Sequence, residues 1–208
     1  MAPVPGPGRV NGIGLVAMGV GAVVLAGSVL GALGPTIPAA EQRAFRTVNR
    51  LPDWLYVPLW LPMQLGNLVV GPAIGLMVAL VLLDLPLAVA VVAATLLKLV
   101  AERVLRHRMA RHLEIRQRPG TSEPEAVLRG GDVPVSGPSF PSGHVILVAA
   151  IAIVVVGAVP AEVGGVALVL TALVMLGRVY VGAHNPLDVS AGLGAGLVVG
   201  GLLAAVLR

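Results

Sequence analysis

Pro138-Ser-Phe-Pro-Ser-Gly-His144 runs straight into Val145-Ile-Leu-Val-Ala-Ala-Ile-Ala-Ile-Val-Val-Val-Gly-Ala-Val159, a stretch without a single charge. An apolar run of that kind reads as a buried or membrane helix. Residues 98 to 118, just upstream, form a dense basic cluster, so polar chemistry meets an apolar wall at this junction. Pro141 suits the first turn of a helix, because the N–H it lacks would have no partner there, and Ser142 and Gly143 then leave backbone N–H groups free at the positive end of the helix dipole. That end favours an anion, above all a phosphate. His144 stands beside it as a ring able to give or take a proton at a bound phosphate ester.

The same contrast holds for the whole chain. Of 208 residues, 57% are hydrophobic and 12% charged, against about 25% charged in an ordinary soluble domain. Such a chain in water would leave far too much apolar surface exposed, so it is read as a membrane protein and disorder is excluded. The absence of cysteine rules out disulfides and thiolate metal sites. Twelve of the fourteen Lys and Arg fall in residues 43–50, 98–129 and at Arg178, next to apolar spans and with few aromatics around them. This pattern argues against a nucleic-acid partner and for anionic lipid or phosphate.

The expected architecture is all-α, a polytopic membrane bundle of six transmembrane helices in one domain, with an interfacial helix before the second. A flexible tail, 1–11, precedes a first span at 12–33. Its apolar run is longer than the 7–15 residues of a signal peptide, and no small-x-small cleavage site follows. Trp54, Tyr56 and Trp60 place a helix at headgroup level. Further spans are expected at 64–83, 86–105, 143–159, 163–181 and 187–207, each near the ~20 apolar residues that cross a bilayer. The polar loop 106–142 lies between the third and fourth. Lys98 to Arg108 reads as a snorkelling, solvated helix end with a Glu102–Arg106 pair, and Glu114, Glu123, Glu125 and Asp132 read as solvated loop charges. His107 and His112 are taken as non-catalytic. No internal repeat and no pair of broken helices is present, which disfavours a secondary transporter.

Six spans bring the end of the third, the start of the fourth, the end of the fifth and the start of the sixth to one face. Three sequence groups meet there: Arg111-His-Leu-Glu-Ile-Arg-Gln-Arg118-Pro119, Pro141-Ser-Gly-His144, and Arg178-Val-Tyr-Val-Gly-Ala-His184-Asn-Pro-Leu-Asp188. Together they resemble the tripartite signature of the type-2 phosphatidic acid phosphatase family, whose fold is shared with vanadium haloperoxidases: Lys-x6-Arg-Pro, Pro-Ser-Gly-His and Ser-Arg-x5-His-x3-Asp. The second group matches fully, and the third matches at Arg178, His184 and Asp188. Arg111 stands where the family has Lys, with Lys98 or Arg108 as alternative cations, and Gly177 stands where the family usually has Ser. The resemblance implies a phosphatase working through a phosphohistidine, without metal or other cofactor.

The residues support the same chemistry on their own. Phosphoryl transfer needs cations and N–H donors on the equatorial oxygens, an in-line nucleophile, and an acid for the leaving oxygen. Arg111, Arg118 and Arg178 supply the cations, with Ser142 and the Gly143 N–H completing the cradle. His184 is the better nucleophile, since Asp188 four residues on can accept its other ring N–H; His144 is then the acid. Asn185, Pro186 and Asp188 also make a good helix start. The partners expected are the bilayer and a membrane lipid phosphate: an isoprenyl diphosphate, phosphatidic acid, phosphatidylglycerol phosphate or a prenyl-linked sugar phosphate. A phosphotransferase of the same fold, or a non-catalytic binder of anionic lipid, is the alternative. The expected location is the bacterial plasma membrane. Twelve Lys and Arg on the site's face against Arg9 and Arg208 on the other favour a cytoplasmic site, whereas many relatives of the family face outward.

Overall fold

The computed structural model describes residues 7–34, 36–109, 116–131 and 133–207. They are helical apart from connecting loops, and among them the only β-type pairing is an isolated antiparallel bridge between Gln117 and Pro138. The helices are α1 (Pro7–Ala32), α2 (Ala39–Asn49), α3 (Tyr56–Met63), α4 (Val70–Leu82), α5 (Leu85–Arg108), the single turn α6 (Pro119–Ser122), α7 (Gly143–Val156), α8 (Ala161–Tyr180) and α9 (Pro186–Leu207). α1 begins inside the stretch expected to be a flexible tail, with Pro7 in its first turn, where a missing N–H is harmless.

α7 is the centre of the bundle. Eleven of its residues are buried, on every side, because α4, α5, α8 and α9 all pack on it. Uniform burial explains why its sequence has no polar face. α9 lies between α7 and α1 and meets both through glycine. A methyl group on Gly192, Gly196 or Gly200 would stand 2.6–2.7 Å from a carbonyl oxygen of α7 or its leading residue, and one on Gly194 would lie 2.5 Å from the Leu25 nitrogen of α1. These stripes let three backbones approach closely, the packing mode that suits helices in lipid.

Among the described residues, four helices are long and apolar enough to cross a bilayer: Gly12–Ala32, Leu85–Arg108, Ala161–Tyr180 and Pro186–Leu207. Their outward faces carry exposed Leu15, Val23, Val92, Leu96, Val166 and Val169, as lipid contact requires. The expected span at 64–83 is broken. Asp53–Gly66 and Val70–Leu82 meet at 71° and make a fifth crossing only if counted as one. The break follows from Gln64-Leu-Gly66, a 3-10 turn, and from Asn67, whose Oδ1 accepts the Val69 N–H at 2.8 Å and restarts the chain as α4. α7, with 14 residues, rises only about 21 Å against an apolar thickness of about 30 Å. It starts inside the protein instead of at the surface, because Ser142 and Gly143 are recessed among other helix ends.

The region expected to hold a headgroup-level helix forms two helices. α2 buries Glu41, Phe45 and Asn49 at i, i+4, i+8 and exposes Arg43 and Arg46. α3 carries the half-exposed Trp60, and Trp54 precedes it.

Candidate active site

The gap between Arg178 and His184 is set by how α8 ends. Gly182 adopts φ 77°, the left-handed conformation that closes a helix, and a side chain there would meet Leu128 Cδ2 at 2.7 Å and Val127 O at 2.9 Å. The chain turns back so that the Arg178 carbonyl accepts two N–H groups, from Ala183 at 3.1 Å and His184 at 3.2 Å. Five intervening residues are what this turn needs to bring residue 184 against residue 178.

α9 then starts on Asn185-Pro-Leu-Asp188. Asp188 Oδ2 accepts the Asn185 N–H at 2.8 Å, the reciprocal contact of a helix start, and lies 3.8 Å from His184 Nδ1. The helix-start role and the pairing role of Asp188 thus coexist, but the His184 contact is an ion-pair distance and not a hydrogen bond. Burial pushes the His184 imidazole down to about 4; the Asp188 carboxylate opposes that shift and Arg178 adds to it. The ring is therefore neutral at pH 7, with a lone pair available.

The start of α7 abuts this corner. The Ser142 N–H donates to the Asp188 carbonyl at 3.0 Å, and Ser142 Oγ is buried without a hydrogen-bond partner among the described residues. Ser142 is the N-cap and the helix begins at Gly143, so Pro141 stands before the first turn and not in it. A methyl group on Gly143 would lie 2.5 Å from Glu102 Oε2 and 3.0 Å from Lys98 Nζ. Lys98 and Glu102 are paired at 2.6 Å, and Arg106 reaches the other Glu102 oxygen at 2.7 Å. The Glu102–Arg106 pair stands as expected. Lys98, however, is buried against the α7 terminus and not solvated, because α5 is packed on α7 at this depth.

The loop before α7 supplies two guanidiniums. Arg118 Nη1 donates to the Ala183 carbonyl at 2.9 Å, and the Arg118 N–H donates to Gly137 O at 3.0 Å, so strands of loop 116–118 and 137–139 run side by side. Arg116 is 1% exposed and lies between Glu41 and Asp188, with its guanidinium 5.8 Å from the Phe140 ring centre. Burial works against its charge, and the two carboxylates more than offset this, raising its pKa.

His144 and Arg178 line a small polar cleft together with Trp60, Gln64, Asn67 and Arg129. Arg178, His184, Lys98 and Arg118 all act electrostatically on His144. The residues Arg118, Ser142, Gly143, His144, Arg178, His184 and Asp188 are thus neighbours, whereas Arg111 lies outside the described residues, as do His112, Glu114 and Asp132. The space beside Gly177 is filled by Met63, whose Cγ and Sδ would be 2.7 and 2.8 Å from an added methyl. Glu123 is buried and bonded to Arg46 at 3.1 Å, correcting its reading as a solvated charge, because α2 closes over that loop. Glu125 is exposed and pairs with Arg50. Sequence reasoning passed over Glu41 and Arg116. The signal was available for Glu41, which shares the i, i+4, i+8 stripe of Phe45 and Asn49 instead of the arginine face. Among the described residues, no three His, Asp or Glu side chains cluster as a metal site.

The fold is that of known membrane proteins. The crystal structure of LpxE from Aquifex aeolicus superposes with a TM-score of 0.61 at 22% identity, over 80% of this chain and 95% of that one. A transmembrane PAP2 type phosphatidylglycerolphosphate phosphatase from Bacillus subtilis superposes with a TM-score of 0.55 at 23% identity, over 90% and 92%. No curated protein sequence matches significantly. The profile of the PAP2 superfamily matches residues 79–208, from late α4 through the whole recessed corner to the end of α9, and this membrane protein belongs to the PAP2 superfamily.

Proposed function

We propose that the protein is an integral-membrane lipid phosphatase that removes a phosphate from a mono- or diphosphate headgroup while the lipid tail stays in the bilayer. The observation that carries this reading is the joined α8–α9 corner, where the Arg178 carbonyl holds the His184 N–H at 3.2 Å and Asp188 Oδ2 stands 3.8 Å from His184 Nδ1. In the first step His184 Nε2 forms a bond to phosphorus and the bond to the leaving oxygen breaks. That oxygen takes a proton from His144. In the second step water attacks the phosphohistidine, His144 takes its proton, the P–N bond breaks and inorganic phosphate leaves. Asp188 balances the charge that grows on the His184 ring. Arg118, Arg178 and Arg111 balance the phosphoryl oxygens, and the Gly143 N–H with Ser142 Oγ completes the cradle. No step requires a metal ion. The bent α3–α4 pair and the short α7 complete a six-segment bundle around the cleft, in a bacterial plasma membrane.

Phosphate release from phosphatidic acid, phosphatidylglycerol phosphate and a prenyl diphosphate in mixed micelles, with and without EDTA, tests the reading. Release that is insensitive to EDTA and lost in His184→Ala is expected. Release that needs a divalent ion overturns the metal-free scheme, and lipid binding without turnover makes the protein a binder. The excess of Lys and Arg on the site's side favours a cytoplasmic site. An alkaline phosphatase reporter fused after Arg208, at the opposite end of α9, is then active, and an inactive reporter places the site outside.

A further inference from the structure

Glu41 belongs to an amphipathic helix yet is 6% exposed, with its carboxylate turned into the protein. It accepts from Arg116 Nη1 at 3.1 Å and Nη2 at 2.6 Å, and its Oε1 also accepts the Leu187 N–H at 2.9 Å in the first turn of α9. From its other edge Arg116 donates Nε at 3.2 Å and Nη2 at 2.9 Å to Asp188 Oδ1. The second Asp188 oxygen is thereby left for the Asn185 N–H and the His184 ring.

We infer that Glu41 and Arg116 are positioning residues for His184: they anchor Asp188 through one oxygen, aim the other at the imidazole, and fix the net charge against which that imidazole ionises. The inference rests on the reading of His184 as the nucleophile. Arg116 and Glu41 are buried and spend their polar atoms on each other, on Asp188 and on the Leu187 N–H, so they act on His184 through Asp188. A helix start needs far less than a buried triad: the Asp188 carboxylate already accepts the Asn185 N–H, and burying three charges carries a large desolvation cost. What the triad adds is one guanidinium between two carboxylates, a formal sum of −1 beside the ring. Removal of Arg116 makes it −2 and removal of Glu41 makes it 0, so the two changes move His184 in opposite directions. The other groups facing His184 are Arg178 from α8, Arg118 from the loop and His144 from α7, and all are unchanged in both variants.

The test is the pH profile of kcat/KM for phosphate release by the full-length protein in micelles, for wild type, Arg116→Gln, Arg116→Lys and Glu41→Gln. The ionisation of the substrate phosphate is common to all four and cancels from the comparison. In Arg116→Gln the acid limb is expected to rise by about one pH unit or more, toward the ordinary 6.5 of histidine, with kcat falling at least tenfold. Arg116→Lys keeps the charge, so its limb stays within about half a unit of wild type. Glu41→Gln keeps the shape, and its limb moves down, opposite to that of Arg116→Gln. If Arg116→Gln is not monodisperse, Glu41→Gln carries the test: an upward shift or none overturns the inference and a downward shift supports it. Limbs that coincide across all variants, with an active wild type, reduce the triad to scaffolding and overturn the inference. A wild type that releases no phosphate from any substrate overturns the functional reading itself, a different outcome.

Discussion

Asp188 Oδ2 and His184 Nδ1 are 3.8 Å apart, about 1 Å beyond a hydrogen bond, while the same oxygen holds the Asn185 N–H at 2.8 Å. Catalytic hydrogen bonds in free enzymes are often long and tighten when substrate binds. Asp188→Asn retains the helix-start contact through its amide oxygen but removes the charge that offsets a cationic ring. kcat/KM is expected to fall about 10²- to 10⁴-fold with KM little changed. Steady-state phosphate release on the purified variant checks this; a loss of less than about fivefold sinks the pairing.

The depressed His184 pKa makes stability depend on pH. The unfolded chain takes up this proton near 6.5 and the folded chain only near 4. Between those values the unfolded state binds more protons, so the His184 contribution is complete above about pH 6.5 and is lost as pH falls toward 4. Thermal unfolding in detergent across pH 4–7.5 is expected to show a downward slope below 6.5 that is shallower in His184→Gln. Parallel curves for the two proteins contradict the buried neutral imidazole.

Lys98 and Glu102 are unequal partners. Glu102 holds two cations, at 2.6 and 2.7 Å, so Lys98→Met leaves the carboxylate with Arg106. Glu102→Gln instead leaves a buried ammonium without its counter-charge. The expected losses of stability are about 1 kcal/mol for Lys98→Met and about 3 kcal/mol for Glu102→Gln, read as melting temperatures in one detergent. The reverse ranking contradicts the burial of Lys98.

Gly196 and Gly165 test the packing of the bundle. A methyl on Gly196 lies 2.6 Å from both Ile146 O and Ala149 Cβ, whereas one on Gly165 meets nothing within 4 Å. Gly196→Ala is expected to cost about 1–3 kcal/mol because a backbone must move. Gly165→Ala is expected to be neutral or slightly stabilising. Equal melting temperatures for the two variants count against close contact of α7 and α9.

How much of this was legible in the chain depends on the range of the cause. α1, α5, α8 and α9 could be read because hydrocarbon length is a local requirement that a run of apolar residues either meets or does not. The junction at Ser142–His144 and the Arg178–His184 interval were legible for a related reason, since helix ends have local chemistry. The break at Gln64–Val69 was missed because its residues are apolar enough to pass for a continuous span, and only Gly66 and Asn67 mark it. Lys98 and Glu123 were misplaced, and Glu41 and Arg116 passed over, for the opposite reason. Their burial is decided by partners 4 to 77 positions away, which a composition window does not see.

The glycine contacts of α9 bear on how this molecule can be altered. With backbone against backbone on two flanks, Gly192, Gly194, Gly196, Gly200 and Gly201 form a chassis that tolerates almost no added volume, and the nucleophile candidate is bolted to the front end of their helix. Residues 56–70 are built the other way: a bend, two short turns and half-exposed aromatics on the rim of the cleft. Diversity libraries aimed at new headgroups belong in that flank, where retuning leaves the frame intact.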